Sequence, residues 1–92
     1  MNKKRTRLEV IRDILEVIKS RNGKIKPTHI LYKSNLSYVM MDDYLSELKE
    51  KGFITEVSKA KGKTYQITEK GQEYLKKYAL ISEFSESFGL NQ

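Results

Sequence analysis

The chain has 92 residues, no cysteine and a formal net charge of +6. That length makes one domain with a modest core, which a partner subunit would help to stabilise, and the missing cysteine excludes disulfides, thiolate metal sites and cysteine nucleophiles. No apolar run is long enough to span a bilayer and the N-terminus leads into an amphipathic segment, so we expect a cytoplasmic protein with no segment in the membrane. The charge favours an anionic partner, but charge alone does not separate nucleic acid from an anionic membrane surface.

The positive charge is concentrated at the start of the chain. Residues 1–26 hold nine Lys/Arg against three Asp/Glu, whereas residues 27–52 hold three against four. A basic arm over residues 1–6, with Lys3, Lys4 and Arg5, leads into Arg7 and the first helix. Thr6 and Glu9 form a T-x-x-E capping box ahead of Leu8, Ile11, Ile14, Leu15 and Ile18 at helical spacing. The spacing predicts a helix from about Arg7 to Ser20. Val10 and Val17 widen its apolar stripe enough to serve both a domain core and a neighbouring chain.

Asn22-Gly23 forces a turn. Lys24-Ile25-Lys26 alternates polar and apolar as a very short strand would, and Pro27 suits the first turn of a second helix over residues 28–34. Asn35 and Leu36 make a tight turn. Ser37 is a good N-cap for a third helix with Met41, Tyr44, Leu45 and Leu48 facing inward, which Gly52 stops. Two short helices joined in this way are a helix-turn-helix candidate in which the later helix reads DNA.

Residues 53–58 and 63–68 are rich in β-branched and aromatic side chains and flank Lys59-Ala60-Lys61-Gly62, a hairpin with a basic tip. Thr68 then caps a last helix in which Tyr74, Leu75, Tyr78, Ile81, Phe84 and Phe88 recur every three or four residues. From Glu69 to Ser87 it exceeds what so small a domain needs for cover. We therefore expect Leu75, Tyr78, Ile81 and Phe84, with Val10 or Val17 alongside, at a homodimer interface.

The segments RLEVIRDILEVI, KPTHILYKSNLSY, YLSELKEKGFI and YQITEKGQEYLKKY, in this order, resemble the archaeal small basic winged-helix family of chromatin-associated and regulator-like proteins. The resemblance implies a mainly α fold with a small β-hairpin: a winged helix-turn-helix over residues 7–68 and a long C-terminal dimerisation helix with its tail over 69–92. It implies double-stranded DNA binding by a symmetric homodimer, as a transcriptional regulator or nucleoid-associated factor, with the third helix in the major groove and the wing beside it.

On that footing the base-reaching residues are Ser37, Tyr38, Val39 and Met40 at the start of the third helix. Val39 and Met40 suit a thymine methyl, and Ser37 or Tyr38 suit phosphate or base. Phosphate contact falls to Lys3, Lys4, Arg5 and Arg7 on the arm, Lys33 on the second helix and Lys59, Lys61 and Lys63 on the wing. The arm is otherwise a solvated tail, and the wing lysines a guard against edge pairing. Asp42 and Asp43 depart from the Lys or Gln that such family members tend to carry on the exposed face. They are a solvated surface, acceptors for cytosine amino groups, charges that hold down indiscriminate phosphate attraction by the third helix while arm and wing supply affinity, or part of a helix that meets a protein through Val39 and Met40 instead of DNA. This last alternative makes the chain a protein-interaction module.

Chemistry other than binding finds no support. Gly62-Lys63-Thr64 copies the end of a phosphate loop, yet the earlier glycine would have to stand at Val57 and the segment joins strand to strand. His29 is the sole histidine and has no cysteine companion for a metal, and the serines have no histidine nearby in sequence for a triad. We expect no enzyme, no cofactor, no metal and no small-molecule ligand.

Overall fold

A computed structural model describes residues 5–90. The elements follow in the order α1 (Arg7–Ser20), α2 (Pro27–Ser34), α3 (Tyr38–Glu50), β1 (Ile54–Lys59), β2 (Gly62–Ile67) and α4 (Glu69–Ser87). This is a mainly helical winged helix-turn-helix with one antiparallel hairpin.

Local chemistry sets most of the boundaries. Thr6 Oγ1 accepts from the Glu9 N–H while Glu9 accepts from the Thr6 N–H, the reciprocal cap expected for α1. α2 starts at Pro27, where the missing N–H costs nothing. It ends at Asn35, whose backbone is left-handed (φ 55°, ψ 55°), a conformation that asparagine tolerates better than most residues. The chain thereby reverses within residues 35–37, and Ser37 starts α3 by accepting from the Met40 N–H.

The hairpin pairs Ile54 with Ile67 at its base and Lys59 with Gly62 at its tip. The loop is thus only Ala60-Lys61, tighter than the four-residue tip the sequence suggests, and each strand is offset by one residue from its expected span. The strand expected at Lys24-Ile25-Lys26 is a single bridge, Ile25 to Tyr65. Pro27 follows so closely that no ladder can extend from it.

One core joins the elements. Ile14, Leu15 and Ile18 of α1 are sealed from solvent together with Ile25, Ile30 and Ile54, and Met41, Leu45 and Leu48 bring α3 onto them. Burying each such side chain stabilises the fold by roughly 1.5–3 kcal/mol. α4 is seated by Leu75, by the Tyr74 hydroxyl donating to the Leu8 carbonyl at 2.8 Å, and by Gly71. A Cβ at Gly71 would fall on the Phe53 carbonyl oxygen and within 2.7 Å of the Ile67 side chain, so only glycine lets α4 approach the hairpin base. Past Tyr78, α4 leaves the core, and Leu80, Ile81, Phe84 and Phe88 are each more than 60% exposed. The molecule is accordingly elongated, 49 × 31 × 20 Å. No helix among the described residues is long and apolar enough to cross a membrane.

Candidate nucleic-acid interface

Ser37 and the inward row Met41, Leu45 and Leu48 fix both the start and the rotation of α3. Anchored by that row, the helix turns Val39, Asp43 and Glu50 outward, flanked by Asp42, with Tyr38 and Met40 exposed on its first turn. Val39 is 72% exposed and Tyr38 63%. The hairpin stands beside this helix. Lys49 bridges to Glu56 of β1 at 3.1 Å, and Lys63 of β2 lies 3.8 Å from the same carboxylate. Between helix and hairpin is a small polar cavity of about 40 Å³ lined by Asp42, Ser46, Lys49, Glu56, Lys63 and Tyr65. Burial pushes the Tyr65 phenol above its ordinary pKa, with the negative charges of Glu56 and Asp42 adding to the effect.

The expected cations divide into free and engaged groups. Lys59 and Lys61 at the hairpin tip form no side-chain hydrogen bond or ion pair with the described residues, and Lys33 is exposed on the last turn of α2. Lys63 is partly neutralised by Glu56. Lys3 and Lys4 lie outside the described residues.

Arg5 and Arg7 are not the free arm cations that the sequence suggests. The Arg5 guanidinium donates to Asp13 at 2.6 Å and to the Ser34 and Asn35 carbonyls at 2.7 and 3.2 Å, covering orphan acceptors at the end of α2. Arg7 pairs with Glu47 of α3 and lies 5.6 Å from the centroid of the Tyr44 ring. Both tie the chain entry to the helix-turn-helix. The Ser34 carbonyl that Arg5 reaches and the Glu47 carboxylate that pairs with Arg7 are 29 and 40 residues away in sequence, beyond the reach of any local pattern.

The bridge at Ile25 adds Lys24 and Lys26, which the sequence reading counted in the basic N-terminal stretch without assigning a site. Both are exposed and flank a residue that pairs with β2, so they lie beside the wing. The alternating Lys-Ile-Lys was the available signal.

The expected interface residues also divide. Val10 and Leu75 are 5% and 7% exposed, already committed to the core of one protomer, and have little surface left for a partner. Val17 is half-buried against that core and Tyr78 is covered on one side by Arg12 at 5.1 Å. Ile81 and Phe84 remain open to solvent at 66% and 63%.

A three-helix core, a turn of three residues before an exposed helix and an adjoining hairpin define a winged helix-turn-helix protein. The family model described as winged helix-turn-helix matches residues 4–86, and the chain belongs to that family. Among solved structures, it is similar to Sso10a-2, a DNA-binding protein from Sulfolobus solfataricus, with 26% identity over 91% of this chain and 85% of that one and a TM-score of 0.78. The archaeal resemblance drawn from the sequence is met by this match. Two further structures share the fold: the PcaV transcriptional regulator from Streptomyces coelicolor (13% identity, 86% of this chain, 60% of that one, TM-score 0.75) and the transcriptional regulator Tm0710 from Thermotoga maritima (19%, 87%, 61%, 0.65). The chain spans about 60% of the length of these two regulators. No curated protein matches it.

Proposed function

We propose that the protein binds double-stranded DNA as a symmetric homodimer and acts in the nucleoid as a transcriptional regulator or chromatin-associated factor, without catalytic activity. The observation that carries this reading is the exposed first turn of α3 beside a wing whose tip bears two uncommitted lysines, Lys59 and Lys61, on a chain of net charge +6. In helix-turn-helix docking that turn enters the major groove while flanking cations meet phosphate. The DNA-binding description of the Sulfolobus relative and the regulator descriptions of the other neighbours agree with it.

Phosphate contact then falls to Lys59 and Lys61, with Lys33, Lys63 and the arm lysines Lys3 and Lys4 in support. Ser37, Tyr38, Val39 and Met40 face the bases. Residues 1–6 serve as arm, 7–68 as the reading domain and 69–92 as the dimerisation element. The dimer rests on the projecting half of α4, where Leu80, Ile81 and Phe84 form an apolar face that the protomer does not cover. Two reading units would address half-sites about 34 Å apart or a multiple of that.

A second reading, a protein-interaction module, draws on one observation: the outward ridge of α3 is acidic, with Asp42, Asp43 and Glu50 around exposed Val39. Duplex binding titrated at several salt concentrations separates the two. A DNA binder releases counterions and its log K falls linearly with log salt, by roughly 0.9 per phosphate contact. An interaction module shows no such binding.

A further inference from the structure

The chemistry missing from α3 is as informative as what it carries. The helix Tyr38–Glu50 contains no Arg, Asn or Gln. Its single lysine, Lys49, sits in the last turn and is held by Glu56 at 3.1 Å, and the cap residue Lys51 is held by Glu47 at 2.7 Å. The side chains at the reading end therefore supply none of the N–H groups used for bidentate recognition of purines. Guanine presents two acceptors, N7 and O6, and is read by Arg or Lys; adenine is read bidentately by Asn or Gln. One major-groove feature needs no hydrogen bond at all, the C5-methyl of thymine.

The outward position of the first turn is Val39, 72% exposed, with Met40 beside it at 45%. One turn further along the same ridge is Asp43, whose carboxylate oxygens would oppose the acceptor pair of a guanine on the contacted strand and could accept there only from an amino group, as of cytosine or adenine. Methyl contact is thus favoured and guanine disfavoured within a single turn of helix.

Building on the DNA-binding reading above, we propose that α3 selects its sites by thymine methyl groups, with Val39 as the residue that touches them and Asp43 as the residue that turns guanine away. Selectivity would then come from apolar contact and exclusion, while affinity comes from the lysines of the wing. The ligand is T-bearing duplex DNA, and the discriminating atom is one carbon.

That carbon can be removed without disturbing base pairing. Two random-sequence duplex pools, one synthesised with thymidine and one with deoxyuridine, are titrated against the full chain and against Val39→Ala. The expected result is tighter binding of the thymidine pool by roughly four-fold per contacted methyl, the effect of withdrawing one carbon from apolar contact. In Val39→Ala the difference between pools shrinks towards none, with the melting temperature unchanged because Val39 lies outside the core. Equal binding of the two pools by the unmodified protein, with salt dependence intact, overturns methyl reading and leaves DNA binding standing. A difference that survives in Val39→Ala overturns the role of Val39. Absence of duplex binding at any salt overturns this inference together with the function it rests on.

Discussion

Arg7 on the first turn of α1 and Glu47 on α3 form an ion pair that spans 40 residues of sequence and joins the chain entry to the reading helix. Lys51 approaches the same carboxylate at 2.7 Å. Hydrogen bonds from Arg7 and then Lys51 hold the Glu47 carboxyl at a pKa of about 2, below its ordinary 4.5. A carboxylate with a depressed folded-state pKa contributes stability that is complete above the unfolded value and lost as pH falls through the folded one. Glu47→Gln is therefore expected to lower the melting temperature at neutral pH, with the gap to the native protein closing between pH 4.5 and about 2. The groups reach water, so the effect is small and shrinks in high salt. A gap that stayed constant through this window would assign it to packing instead of charge.

Gly71 tests how closely α4 meets the hairpin. In an open helix, Gly→Ala stabilises by up to about 1 kcal/mol. Here the added Cβ meets the Phe53 carbonyl, a backbone atom that also accepts from the Thr68 N–H at 3.0 Å and cannot yield without breaking that bond. Gly71→Ala is expected to reverse the sign and destabilise by about 1–3 kcal/mol, the usual cost of overpacking. Chemical denaturation reads it directly.

Leu75 and Ile81 share a helix but not a role, and substitution separates them. Leu75 is 7% exposed and belongs to the protomer core, so Leu75→Ala is expected to cost about 2–5 kcal/mol. Ile81 is 66% exposed; Ile81→Lys is expected to leave the monomer fold intact and to shift sedimentation from dimer to monomer. A native protein that sediments as a monomer at micromolar concentration removes the dimer from the proposed function.

What the sequence made legible was local. The capping box located α1 to the residue, and Ser37 and Thr68 did the same for α3 and α4, because a cap is a contact between residues three apart. Strand ends were off by one, since they depend on the Ile54 to Ile67 register, which no strand encodes alone. The carbonyls at the end of α2 that Arg5 meets and the Glu47 carboxylate that Arg7 meets were invisible for the same reason. Periodicity marked Val10, Leu75 and Ile81 equally as apolar, but only packing shows that the first two are already buried and the third is not.

The wing lysines differ in what they have to offer phosphate. Lys59→Ala and Lys61→Ala are each expected to weaken all duplexes alike and to reduce the salt slope by about one unit. Lys63, shared with Glu56, is expected to give a smaller change. Equal, negligible effects at all three would reduce them to ordinary surface charge.

Asp42 and Asp43 are adjacent in sequence but face different surroundings, and charge reversal at each should report which part of the interface it faces. Asp42 lines the cavity under the wing with Lys49 and Lys63, so Asp42→Lys brings a third cation beside two others and is expected to disturb the wing as well as the helix. Asp43 is exposed on the outer ridge one turn beyond Val39. If that ridge lies in the major groove, Asp43→Lys changes local charge by two units where phosphates converge. Binding of every duplex is then expected to tighten, the salt slope to steepen by about one unit, and guanine-containing sites to gain most, because the new donor suits N7 and O6. Folding should hardly change, as exposed substitutions usually stay within about 0.5 kcal/mol. If α3 instead faces a protein, the added charge lies well beyond the Debye length of about 8 Å from any phosphate, and neither affinity nor slope should respond. Titrating Asp43→Lys against guanine-rich and guanine-free duplexes at two salt concentrations distinguishes these outcomes. Tighter binding without a gain for guanine would keep the helix near DNA but remove Asp43 from base selection.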